Sequence, residues 1–199
     1  MDVKVIEETD DYIKFDLIDA DVGMANLLRR FILTRVKAFA IDRITVYENT
    51  TQYFDEFIAH RLGLIPIKTP EKVEGSEQVV FTLDVIGPKK VYSGDLKFND
   101  PEVKPVYDNI PLFDLAEGRS LRLEGVAVLG DMHRHAKFQS AFVHYNIDEK
   151  DDKLFHFYVE TYHQLPVRTI LARALDEIKK TYTEIDERLD EVFDKTEGG

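Results

Sequence analysis

PVRTILARALDEIKKTYTEIDERLDEVFD, residues 166–194, sets the reading of this 199-residue chain. Its apolar positions Val167, Leu171, Ala174, Ile178, Tyr182, Ile185, Leu189 and Val192 advance by 4, 3, 4, 4, 3, 4 and 3. Those steps lie close to the 3.5-residue period of helices that pack lengthwise on another helix. Pro166 falls in the first turn, where a missing N–H costs nothing. At about 1.5 Å per residue the helix is roughly 45 Å long. A compact globule of this chain length is only about 40 Å across. The apolar stripe either folds back over a sheet of its own chain or faces a partner, and the length of the helix favours a partner.

Working outward, Leu154–Thr161 (LFHFYVET) reads as a strand leading into that helix. At the other end of the chain, residues 2–8 and 12–18 flank Thr9-Asp10-Asp11, and Ile13, Phe15 and Leu17 alternate with Lys14 and Asp16, as in a hairpin. Asp19-Ala20-Asp21 can cap a helix whose apolar face is Met24, Leu27, Leu28, Phe31 and Ile32. Its other face carries Asn26, Arg29, Arg30, Leu33 and Lys37. Charge is uneven here: residues 2–21 hold eight acids and two lysines, whereas residues 22–44 hold five bases and one acid. The first helix is therefore a basic island, either an ordinary solvated face or a surface for a partner.

Ile41–Tyr47 (IDRITVY) is strand-like, and Asp55–Pro66 (DEFIAHRLGLIP) reads as a short helix closed by Gly63 and stopped by Pro66. From about residue 70 to 147 the texture becomes β-rich, with alternation at Val79, Phe81, Leu83 and Val85 and again at Leu121, Leu123 and Ala127. The expected fold class is α+β, built as a discontinuous α/β domain of hairpin, helix and long C-terminal helix with an inserted β-rich domain. The boundaries drawn from composition are 1–47 plus 148–199 for the first and 48–147 for the insert.

Composition narrows the chemistry. A hydrophobic fraction of 44% supports a folded core, and a net charge of −12 opposes a general grip on nucleic acid. With no cysteine, disulfides, thiolate zinc sites, cysteine-ligated clusters and cysteine nucleophiles are excluded. There is no signal-peptide pattern at the start and no apolar run of the roughly 18 residues a membrane span needs, so a soluble, cytoplasmic protein is expected. The sequence has no Gly-x-Ser-x-Gly elbow, phosphate loop or dinucleotide fingerprint. Asn49-Thr50-Thr51 fits a glycosylation acceptor, which without a secretory signal reads as chance. His133 and His135 flank Arg134 and in a strand would share one face, a metal-ligand geometry lacking a third ligand. His60, His144, His156 and His163 are isolated. The expectation is no catalytic residue, no metal and no cofactor.

Two blocks take the reading further. The first is MANLLRRFILTRVKAFAIDRITVYENTTQYFDEFIAHRLGLIPI, residues 24–67, with Asn26–Arg30, Ala40-Ile41-Asp42, Asn49-Thr50-Thr51 and Asp55–Pro66 as its cores. The second is Gly130 followed by His135-Ala136-Lys137-Phe138-Gln139, then Phe157–Thr161 and Leu165-Pro166. In order and spacing these resemble the α-like subunit family of cellular RNA polymerases, above all its archaeal branch, the D-type subunits. That branch is related to the bacterial alpha amino-terminal domain and the eukaryotic third-largest subunit.

The resemblance implies a non-catalytic assembly platform for transcription. Its long helix, through Val167, Leu171, Ala174, Ile178, Tyr182, Ile185 and Leu189, would pair with subunit L. Small subunits N and P and the large B-type subunit would then join through Arg29, Arg30, Asp55, Glu56, His60 and Arg61. Many archaeal relatives insert a cysteine-rich iron–sulfur domain after the His-Ala-Lys block, which the absence of cysteine excludes here. The bacterial counterpart adds a C-terminal DNA-binding domain, and this sequence ends at Gly199 just past the helix, so no direct nucleic-acid contact by that route is expected.

Overall fold

The computed structural model describes residues 1–71 and 78–197. The chain is α+β and divides into two compact units, Met1–Val36 with Ala141–Glu160 and Val167–Gly199, and Lys37–Ser140 with Thr161–Pro166.

The first unit begins with the hairpin β1 (Asp2–Glu8) and β2 (Tyr12–Ile18), followed by α1 (Val22–Thr34). Asp21 caps α1, its Oδ1 accepting the Met24 N–H at 2.9 Å. β9 (Ala141–Ile147), β10 (Phe155–Thr161) and α3 (Val167–Glu197) complete the unit, with sheet order β1-β2-β10-β9. In β2 every second side chain is buried, and the antiparallel register puts Phe157 opposite Phe15 and Phe155 opposite Leu17 on the same face. The Phe15 and Phe157 rings stack at 4.9 Å and 6°. Ala25 and Ile32 of α1 and Val167, Ile170 and Ala174 of α3 are buried, and α1 packs on α3 and β9.

The second unit is a β-rich body whose main sheet has the order β3-β8-β4-β6, from β3 (Ala38–Asn49), β4 (Gln78–Ile86), β6 (Lys97–Phe98) and β8 (Ser120–Gly130). A ribbon of β5 (Lys89–Tyr92) and β7 (Pro111–Leu115) and the helix α2 (Asp55–Gly63) complete it. Phe39 and Ile41 of β3, Phe81 and Leu83 of β4, Leu121 and Leu123 of β8, and Ile58 and Leu62 of α2 close one core. α2 ends with Leu64 in right-handed conformation, so Gly63 is its last residue and not a left-handed stop.

The units part at 36/37, 140/141, 160/161 and 166/167, whereas composition drew the lines at 47/48 and 147/148. Two strands account for most of the difference: all of β3 pairs with β8 in the second unit, and β9 belongs to the sheet of the first. No described helix is long and apolar enough to cross a membrane.

Gly130 ends β8 under the fully buried ring of Phe138, and a Cβ there would lie 2.8 Å from a ring carbon. Gly130→Ala is expected to cost about 1–3 kcal/mol through overpacking, read as a lower urea midpoint at unchanged slope. A second test concerns His156 on the outer face of the first sheet, between Asp16 (2.7 Å) and Asp148 (3.3 Å). The hydrogen bond to Asp16, then that to Asp148, raises the pKa of His156 above its ordinary value near 6.5. The bridge therefore adds stability that is fully present below about pH 6.5 and is lost as pH climbs through the raised folded value. The urea midpoint should fall with rising pH across that window, and His156→Gln should flatten the fall. Because the imidazole is exposed, the effect is small and shrinks in high salt.

Candidate functional site

Three surfaces carry the residues singled out by the sequence. The first is α3, whose 31 residues make it about 46 Å long, against roughly 23 Å for the seven-residue strands beneath it. Its two halves differ. Val167 and Ala174 are buried in their own unit, and so is Ile170, which the 3.5-residue pattern skipped in favour of the half-buried Leu171. Ile178 is half-buried. Beyond it Tyr182, Ile185, Leu189 and Val192 are 48–58% exposed, joined by Phe193 at 61%. The helix thus buries side chains in its own unit over about its first two turns and then carries an exposed apolar stripe. A bidentate pair of Arg168 with Glu8, at the end of β1, anchors its first turn.

The second surface is α1. Arg29 is half-buried and donates to Asn26 Oδ1 at 2.7 Å, which fixes its guanidinium along the helix. Arg30 is exposed, its backbone carbonyl accepting from Thr34 Oγ1. Of the two, Arg30 is the freer to meet another chain.

The third surface joins α2 to β3 in the second unit. Asn49 holds the loop before α2 with its whole side chain: Nδ2 donates to Tyr53 O and Asp55 Oδ1, and Oδ1 accepts from the backbone and hydroxyl of Thr51. The Asn-Thr-Thr triplet is a loop clasp that sets the start of α2, with Tyr53 stacked on Phe57 at 5.2 Å. Asp55 is engaged by that clasp, whereas Glu56 and His60 are exposed. Arg61 is half-buried, with Nη2 donating to Pro111 O at 2.5 Å.

At the other end of β3 a register shift between Ile41 and Arg43 leaves Asp42 as the extra residue of a bulge. Bulges re-aim side chains. Asp42 Oδ2 accepts from Arg134 Nη2 at 2.7 Å and Oδ1 from Lys137 Nζ at 3.0 Å, and Lys137 also reaches Ile41 O at 2.9 Å. Both cations lie over the Phe138 ring, at 5.6 and 5.3 Å. The Ala-Ile-Asp and His-Ala-Lys blocks, more than 90 residues apart in sequence, are thus one cluster.

His133 and His135 do not sit side by side on a strand, as the sequence reading allowed. His133 is in a turn, held by its N–H to Asp131, and His135 caps a 3-10 turn, its Nδ1 accepting the Lys137 N–H at 3.1 Å. The chain has to reverse after Gly130 to bring Lys137 back to Asp42, and a strand could not do so. Among the described residues no group of three or more His, Asp or Glu is placed to hold a metal ion.

Residues 43–147 match the family described as the RNA polymerase Rpb3/RpoA insert domain. The chain is 46% identical over 152 residues to the DNA-directed RNA polymerase subunit Rpo3 of Pyrococcus furiosus, covering 73% of this chain and 58% of that protein. With the Archaeoglobus fulgidus subunit Rpo3 it shares 43% over 155 residues, 71% of this chain and 59% of the relative. With that of Methanocaldococcus jannaschii it shares 38% over 162 residues, 81% of this chain and 82% of the relative. The matched part thus spans somewhat under 60% of the first two relatives and most of the third. On these matches the chain belongs to the Rpb3/RpoA family of RNA polymerase subunits, in its archaeal Rpo3 branch.

Proposed function

We propose that this chain is a scaffold subunit of a cytoplasmic, archaeal-type DNA-dependent RNA polymerase, with no active site or cofactor of its own. Its first unit serves as the dimerisation domain and its second as the inserted domain. The observation that carries the reading is the divided α3: a helix buried in its own unit from Val167 to Ala174 and then apolar and exposed at Tyr182, Ile185 and Leu189. A stripe of that length in water is a surface for another helix. In the family reading its partner is the small subunit L.

Charge favours a different chain over a second copy. Residues 182–193 carry five acids and one arginine, so self-pairing would set like charges along the seam. A partner helix with basic flanks meets no such cost. Arg29 and Arg30 on α1, and Asp55, Glu56, His60 and Arg61 on α2, are the positions we assign to contact with the large B-type subunit and the small subunits N and P. Of these, the exposed Arg30 can present its planar fork to a carboxylate.

The test is pairing. Ile185→Asp with Leu189→Asp changes only exposed positions of the free chain, so the monomer keeps its fold. In the pair each aspartate would be buried without a partner, and affinity for subunit L is expected to drop at least about a hundredfold by titration. Wild-type affinity in that variant would remove α3 from the interface. Arg29→Ala with Arg30→Ala should leave that first pairing intact and lower the yield of a later assembly step, measured as subunit stoichiometry in native mass spectrometry.

A further inference from the structure

In the second unit, α2 and β3 enclose a cleft of about 220 Å³, walled by Ile44, Ala59 and Leu64 and flanked by Arg43, His60 and His135. Leu64 is 58% exposed at its mouth. Two of the five polar side chains that line it, those of Arg43 and His60, are unmet. The Arg43 guanidinium and the His60 imidazole make no side-chain hydrogen bond or ion pair among the described residues. The Nδ1 of His135 accepts the Lys137 N–H at 3.1 Å, so Nε2 is the ring nitrogen left to donate. The acid lining the cleft, Asp42, has both oxygens taken by Arg134 and Lys137, so it cannot attract a cation. Two cations on one carboxylate leave an excess of positive charge, and Arg43 adds to it. This is a donor-rich, cationic, partly apolar cleft in a chain whose net charge is −12.

We propose that this cleft docks an acidic segment of a partner polypeptide, one that places an apolar side chain on Leu64 and Ala59 and a neighbouring carboxylate against Arg43 and His60. The inference rests on the reading of the chain as a polymerase subunit and supplies the chemistry of one contact in it. A cleft of this volume takes a single side chain of leucine or phenylalanine size, and its apolar walls suit a polypeptide better than the bare phosphate of a nucleic acid. Charge complementarity selects the acidic flank. The Asp42 cluster keeps the cleft in shape, because it ties the His135 turn to β3.

The full chain is co-expressed with the L, N, P and B-type subunits of a close archaeal relative, and the captured complex is weighed by native mass spectrometry. Arg43→Glu with His60→Glu should keep L while capture of one of the other three falls at least about tenfold, and Arg43→Lys alone should retain most of that capture. Capture of all four at wild-type yield by the double variant would overturn the proposal. Loss of L together with the others would also overturn it, since the effect would then not be local to the cleft. So would binding of a labelled DNA duplex by the wild-type chain that disappears in the double variant, which would make the occupant a nucleic acid. If the wild-type chain captures none of the four, the subunit reading itself fails and this inference falls with it.

Discussion

A helix longer than the sheet that supports it is the constraint on which the first unit depends. Over the first two turns or so of α3, Val167, Ile170 and Ala174 are buried as in any core. The later turns are exposed, yet their sequence keeps an apolar face at Tyr182, Ile185, Leu189 and Val192. Isolated helices of that length are marginal in water, and an apolar stripe exposed along one is a burden unless something packs on it. The unit is thus stable at one end and incomplete at the other, which is the architecture of a protein that finishes folding its surface on a partner.

The second unit solves a different problem, the positioning of loops on a β-body. The bulge at Asp42 turns one carboxylate out of the β3–β8 ladder, and Arg134 and Lys137 converge on it from the turn after β8. Charge-assisted bonds to a mostly shielded carboxylate are stronger than surface pairs of the same geometry. The cations also cover Phe138, whose ring fills the space that Gly130 leaves open. Asn49 plays the equivalent part at the far end of β3 with neutral hydrogen bonds, holding the start of α2.

Local regularities made much of this legible in advance. The β2 alternation, the Asp21 cap and the long period of α3 are properties of neighbouring residues, and each produced the element it implied. What escaped the sequence depends on distance or on register. A strict 3.5-residue count passes over Ile170, because a helix that first packs on a sheet buries a wider face than one in a two-helix seam. The bond between Asp42 and Lys137 spans 95 residues and exists only because a bulge changes which way Asp42 points. The same fold-back puts His133 in a turn and His135 at the cap of a 3-10 turn, so the shared strand face the sequence allowed is not formed. Composition misjudged the division of the chain because β3 and β9 resemble each other in texture while pairing in different sheets.

The two halves of α3 differ in standing, one completed by its own chain and one awaiting another. Amide hydrogen exchange along α3, with and without subunit L, addresses this directly. In the free chain, amides from 167 to 178 should be protected and those from 182 onward should exchange quickly, with the distal set alone becoming protected when the partner is added. Equal protection along the whole helix in the free, monomeric chain, or no change in the distal half on adding the partner, would contradict it.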